Sequence, residues 1–97
     1  MKATLKQIPP LVSSKQIFEG NSIFSKIIDK LYIIYSYGEH FPLAIYNFDT
    51  NKWYQNTDKY STTTSKHQSI INIAIANSKA RPYLCNLAEI KNFIKYL

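Results

Sequence analysis

Cysteine is nearly absent from this sequence. Cys85 is the single one, so an intrachain disulfide and a multi-cysteine zinc site are both excluded, and a reducing compartment is the expectation. Glycine is almost as scarce: Gly20 and Gly38 are the two among 97 residues, which leaves no glycine-rich loop to cradle a phosphate. Arginine is represented by Arg81 alone, and the other eleven basic residues are lysines. Bidentate readout of base edges favours the arginine fork, so any contact with nucleic acid is expected to address phosphates with little sequence preference. No stretch approaches the roughly eighteen apolar residues that a membrane span needs. The opening MKATLKQIPPLV lacks the apolar run of a signal peptide. The expectation is an intracellular protein with no membrane association.

What is present in quantity is apolar and aromatic. Hydrophobic residues make up 45% of the chain, enough for one modest core in one domain. Thirteen residues are Tyr or Phe, eight of them Tyr, which favours strands and puts amphipathic rings near the surface. Acidic residues are few and unevenly placed. Residues 1–58 hold six Lys against Glu19, Asp29, Glu39, Asp49 and Asp58, whereas residues 59–97 hold six basic residues against Glu89 alone. A basic half attracts nucleic acid or another acidic partner. The abundance of Ile, Asn and Lys also fits the codon bias of an AT-rich genome, and the two explanations stand side by side.

Along the chain, Pro9-Pro10 disfavours helix and central strand, so residues 1–14 read as an extended N-terminal arm ahead of a single α+β domain over 15–97. Residues 15–19 read as a short strand closed at Gly20-Asn21. Residues 22–28 fit two periods: the pairs Ile23/Ile27 and Phe24/Ile28 favour a short helix, and the β-branched content favours a strand. The helix is the preferred reading. LYIIYSY over 31–37 is the clearest strand, apolar or aromatic on both faces and therefore central. A turn at 38–40, a strand over 43–48, a turn at 49–52 and a strand over 52–55 complete an antiparallel meander. Residues 66–77 read as a helix with Ile70, Ile71, Ala74 and Ile75 on one face, although Ile71, Ile73 and Ile75 also alternate as in a strand. Arg81-Pro82 breaks what precedes it. Asn86 then caps a last helix to Tyr96, with Glu89 at its third position and Leu87, Ile90, Ile94 and Leu97 as the buried stripe. The fold class expected is α+β: a small antiparallel sheet of three to five strands with two or three helices packed on one face.

The most informative stretch is KYSTTTSKHQS, Lys59 to Ser69. Ser65 and Gln68 stand in capping-box spacing, and the free N–H groups of a first helical turn carry partial positive charge. With Lys59, Tyr60, Ser61, Thr63, Thr64, Ser65, Lys66 and His67 beside them, those groups form a candidate phosphate site. Capping alone also explains Ser65 and Gln68. Trp53 and Tyr54 are candidate stacking faces for unpaired bases, against the plainer reading that rings at alternating strand positions are core or cross-strand pairs.

Taken in order, Tyr35-Ser-Tyr-Gly38, His40-Phe-Pro-Leu43, Trp53 with Asn56, and the Lys59–Ser69 run resemble a widespread family of small proteins encoded by phages, prophages and plasmids. Its signature is an SYG-type strand followed by YSxTTSKHQS. The resemblance covers roughly residues 20–70. It implies a mobile-element origin and residence in the cytoplasm of a host cell, and it implies no particular mechanism.

Catalytic readings are less economical. Hydrolysis would use His67 as base, Ser61 or Ser65 as nucleophile and Asp58 as orienter, but no Gly-x-Ser-x-Gly elbow is present. A nicking site of Tyr60 with His67 would lack clustered metal ligands. His40, His67 and Cys85 have no paired metal-site spacing, so neither a metal nor a cofactor is expected, nor enzymatic activity. The expected function is that of a phage-type accessory protein binding nucleic acid or another phosphate-bearing ligand. The alternative is a protein-binding inhibitor of a host antiviral defence complex. An exposed edge strand at 52–55 would also permit a homodimer.

Overall fold

A strand buried along its whole length needs cover on both faces, and residues Leu31–Ser36 (β2) are such a strand: all six are buried. The computed structural model describes residues 3–58 and 62–96, with the side chains of Thr62 and Thr63 left aside. Ile23–Ile28 (β1), β2, Pro42–Asn47 (β3) and Lys52–Asn56 (β4) form an antiparallel meander in chain order. The chain then crosses over through the helix Thr62–Asn77 (α2) and adds Tyr83–Cys85 (β5) parallel to β4. Parallel neighbours require such a crossover, and here the helix supplies it. The result is a five-stranded mixed sheet in the α+β class expected, with a parallel edge strand that the meander reading does not contain. Two further helices, Ile8–Ser13 (α1) and Leu87–Tyr96 (α3), complete the chain.

The alternation of β2 divides the core in two. Tyr32 and Ile34 face one side, where α1 and α2 cover them with Ile8, Val12, Ile71, Ala74 and Ile75, and Trp53 of β4 joins this cluster. Leu31, Ile33 and Tyr35 face the other, where Ile45, Cys85 and Ile90 of α3 cover them. The helices therefore sandwich the sheet and do not share one face. The correction follows from β2 itself, because a strand apolar on both sides would leave one face wet under a single layer.

Three local readings change with tertiary contact. Residues 8–13 are helical, so the stretch expected to be an extended arm contains a helix. Pro9 and Pro10 lie in the first turn of α1, where a missing N–H costs nothing because no intrahelical acceptor exists for it. Ile8 and Val12, four residues apart, are both fully buried. Residues 15–19 contribute an isolated bridge from Glu19 to Phe24 in place of a strand. Residues 23–28 are strand, not helix, and pair with β2 from Ile23↔Ser36 to Ile28↔Leu31. The i,i+4 pairs there are a coincidence of a β-branched run whose backbone is claimed by its neighbour.

Elsewhere local chemistry and fold agree. In α2, Ile71, Ala74 and Ile75 are buried while Ile73 is 55% exposed, as helical and not strand period requires. At the β3–β4 turn Asn51 takes the left-handed conformation (φ 56), and the Asn47 side chain accepts from the Asp49 and Thr50 N–H groups. The capping box of α3 is closed in both directions. Glu89 N–H donates to Asn86 Oδ1 and Asn86 N–H to Glu89 Oε1, each at 2.9 Å. Asn86→Ala is expected to lower the unfolding free energy by about 1 kcal/mol, read from urea titration.

Candidate phosphate-binding pocket at the start of α2

Ser36 ends β2, close to a register shift between Ile34 and Tyr35, and is fully buried. Above it lies the first part of α2. Positions three apart share a helix face, so Thr64 and His67 both turn towards the sheet. Ser36 Oγ lies 3.2 Å from Thr64 Oγ1 and 2.8 Å from His67 Nδ1. All three side chains are buried. This network satisfies groups that would be costly if left unpaired, and it fixes the imidazole in place. Burial holds the His67 pKa below its ordinary 6.5 by penalising the charged ring, so the neutral form is carried at pH 7.

One edge of that network borders open space. His67 and Lys66 line a cavity of about 380 Å³ together with Leu5, Asn21, Ser22 and Tyr37. The Tyr37 ring centroid stands 6.1 Å from that of His67. Both Ser22 (φ 65) and Tyr37 (φ 67) are in the left-handed region, which is uncommon for any residue but glycine and more so for a bulky one. The Tyr37 N–H donates to the Ser22 carbonyl at 2.7 Å, pinning β1 and the end of β2 together in that conformation. Such strain costs on the order of 1–3 kcal/mol per residue and persists where surrounding contacts hold it. Chemically the cavity offers an ammonium, an amide, a hydroxyl, an imidazole and an aromatic face. That set suits an anionic group attached to a flat or apolar body.

The residues expected to form the phosphate site are dispersed by this geometry. Lys66 is exposed and lines the cavity, and His67 forms part of its wall. Thr64 is buried and faces the sheet beside Ser36. Ser65 is the fourth residue of α2 and not its N-cap, so the expected capping box with Gln68 does not form. Its carbonyl instead accepts from Ser69 Oγ. Gln68 is buried and donates through Nε2 to the carbonyls of Asn56 and Asp58, tying α2 to the end of β4. The helix starts earlier than its hydroxyl-rich run suggests. Lys59, Tyr60 and Ser61, and the Thr63 side chain, lie outside the described residues.

The stacking candidates also move. Trp53 is only 2% exposed and packs against Tyr32 and Tyr46 at ring distances of 6.4 and 5.1 Å, so it is a core residue with no face for a base. Tyr54 lies between Tyr83 and Phe93. Asp58, the orienter in the hydrolytic reading, accepts from the Leu87 N–H at 2.9 Å through its carboxylate. It thereby stabilises the positive end of α3. Among the described residues no group of three or more His, Cys, Asp and Glu side chains could hold a metal ion. Nor is any helix among them long and apolar enough to cross a membrane. Cys85 is buried, and desolvation pushes its thiol up to about 11, far from the range of a reactive thiolate.

Sequence reasoning missed Asn21, Ser22 and Leu5 as lining residues. Tyr37 stands in one of the stretches singled out in the sequence, and Lys66 and His67 in another. The two stretches converge at this cavity. No family model matches the chain, and neither the curated proteins nor the solved structures yield a match.

Proposed function

We propose that this chain is a non-enzymatic binding protein for a phosphate-bearing ligand, nucleic acid included, and that the phosphate is held at Lys66 in the cavity beside His67. The observation that carries the reading is the convergence of Lys66, His67, Asn21, Ser22 and Tyr37 on one cavity, with the imidazole clamped from behind by Ser36. Lys66 supplies the charge, Asn21 and Ser22 supply neutral donors, and Tyr37 supplies a ring for the body of the ligand. The net charge of +6 favours encounter with a polyanion. The setting in a phage or other mobile element, in the cytoplasm of its host, rests on the resemblance described above.

Titration with inorganic phosphate, mononucleotides and short oligonucleotides, followed by amide shifts in NMR spectra, tests this. Shifts should cluster at 21–22, 37 and 66–67. Lys66→Ala should weaken binding about tenfold or more, since hydrogen bonds to charged groups contribute about 1.5–3 kcal/mol. Shifts scattered over all lysines, or none at low salt, overturn the pocket. A stable complex with a host defence protein and no response to any phosphate compound would overturn it in favour of an inhibitor of that complex.

A further inference from the structure

On the side of the sheet opposite α2, aromatic rings stand in a row between β5 and α3. Tyr83 stacks on Tyr54 with centroids 5.5 Å apart and planes within 25°. Tyr54 in turn meets Phe93 of α3 at 4.7 Å. Tyr96 follows Phe93 by three residues and so shares its side of the helix. The inner rings are covered, but Tyr83 is 52% exposed and Tyr96 75% exposed. Each exposed ring has a lysine ammonium over it. Lys52 Nζ donates to Tyr83 Oη at 3.1 Å and lies 5.2 Å from the ring centroid. Lys95 Nζ lies 5.3 Å from the centroid of Tyr96.

The surrounding charge has one sign. Lys79, Arg81, Lys91 and Lys95 stand against Glu89 alone over residues 79–96, and the Glu89 carboxylate is already engaged by the Asn86 N–H. Lys91 and Lys95, four residues apart, point to the same side of α3. Two exposed tyrosine rings, each with an ammonium group over it, add nothing to the core beneath, which Ile90 and Cys85 already close.

We propose that this face binds an unpaired polynucleotide strand, its bases stacking on Tyr83 and Tyr96 and its phosphates lying along Lys52 and Lys95. Every base presents a π-face, so stacking of this kind is tolerant of sequence. Lysine, a compact point charge, contacts phosphate without reading base edges. The stack beneath Tyr83 orients its ring before binding, which lowers the ordering cost. A duplex offers no free base faces and should bind more weakly. The surface lies across the sheet from the Lys66 cavity, so it goes beyond the pocket reading and stands or falls separately from it.

The test is fluorescence anisotropy with a labelled oligothymidylate of about fifteen nucleotides and a duplex of equal length, over a salt series. The double variant Tyr83→Ala/Tyr96→Ala should bind the single strand at least about tenfold more weakly while its far-UV circular dichroism remains that of the folded wild type. Tyr83→Phe/Tyr96→Phe, which keeps both rings, should retain affinity within about twofold. Lys52→Ala/Lys95→Ala should flatten the slope of log K against log salt by about 1.4. Tyr83→Ala/Tyr96→Ala should leave the amide shifts that inorganic phosphate induces at 21–22, 37 and 66–67 as in the wild type, which separates this surface from the cavity. Equal affinity for the duplex, indifference to loss of the two rings, or no binding at low salt overturns the proposal, as does binding confined to an acidic protein.

Discussion

Replacing Trp53 with alanine is expected to lower the unfolding free energy by about 3–5 kcal/mol, the range for truncating a buried large aromatic. Trp53 lies on β4 with its side chain in the cluster that α1 and α2 cover, and it touches Tyr32 edge-on and Tyr46 at a tilt. Its removal opens a void bounded by the sheet on one side and by helices tied to it on the other. Ser13 Oγ donates to the Ala74 carbonyl, and Gln68 holds α2 to the end of β4, so the helices are not free to slide in and fill the gap. For a domain of this size each kcal/mol shifts the melting temperature by about 4–8 °C, so the midpoint should fall by at least about 12 °C. Far-UV circular dichroism is the right probe, since the variant loses the only tryptophan. A loss below about 1 kcal/mol would mean that Trp53 is solvent-facing in solution and available for stacking after all.

His67→Ala carries the second large effect, about 1–3 kcal/mol from the orphaned polar contact alone, together with a change in how stability depends on pH. The wild-type ring is buried and neutral, and its pKa is depressed by desolvation. In the unfolded chain it titrates near the ordinary value, so at acid pH the unfolded state binds the extra proton first. This contribution to stability is therefore complete above pH 6.5 and is lost as pH falls from there through the depressed folded-state pKa. Thermal midpoints of the wild type should decline between pH 7 and pH 5 more steeply than those of His67→Ala, whose Ser36 and Thr64 hydroxyls do not titrate. Parallel pH profiles would refute a buried neutral imidazole.

Much of this architecture rests on short-range signals that are readable without coordinates. The strand 31–36 declares itself by being apolar on both faces, and Asn51 by tolerating the left-handed backbone of its turn. The helix after Asn86 is specified by a cap and a carboxylate three residues apart. Other segments carry ambiguous signals. The run at 22–28 satisfies two periods at once, and only pairing with β2 selects the strand. Pro9-Pro10 disfavours a helix interior but suits a first turn, and the outcome depends on whether Ile8 and Val12 find α2 to pack against.

The candidate site divides in the same way. Lys66 and His67 stand out in the sequence because polar side chains crowd around them. The neighbours that define their environment do not, since Ser36 lies 31 residues from His67 and 28 from Thr64. Asp58 illustrates the converse. Near His67 in sequence, it acts at the start of α3, 29 residues from its partner Leu87.

By itself, then, the sequence determined the class of fold, the meander from 31 to 55, the two longer helices and the absence of an intrachain disulfide, all of which follow from composition, period and capping within a few residues. Tertiary structure alone decided that α3 covers the opposite face from α2, that β5 joins in parallel, and that Thr64 and His67 turn inward while Lys66 faces the cavity. It also buried Trp53 and left Tyr83 open. Those outcomes depend on which surfaces meet across the sheet, and contact between residues far apart in the chain is settled by the burial of both faces of β2 and not by any local preference.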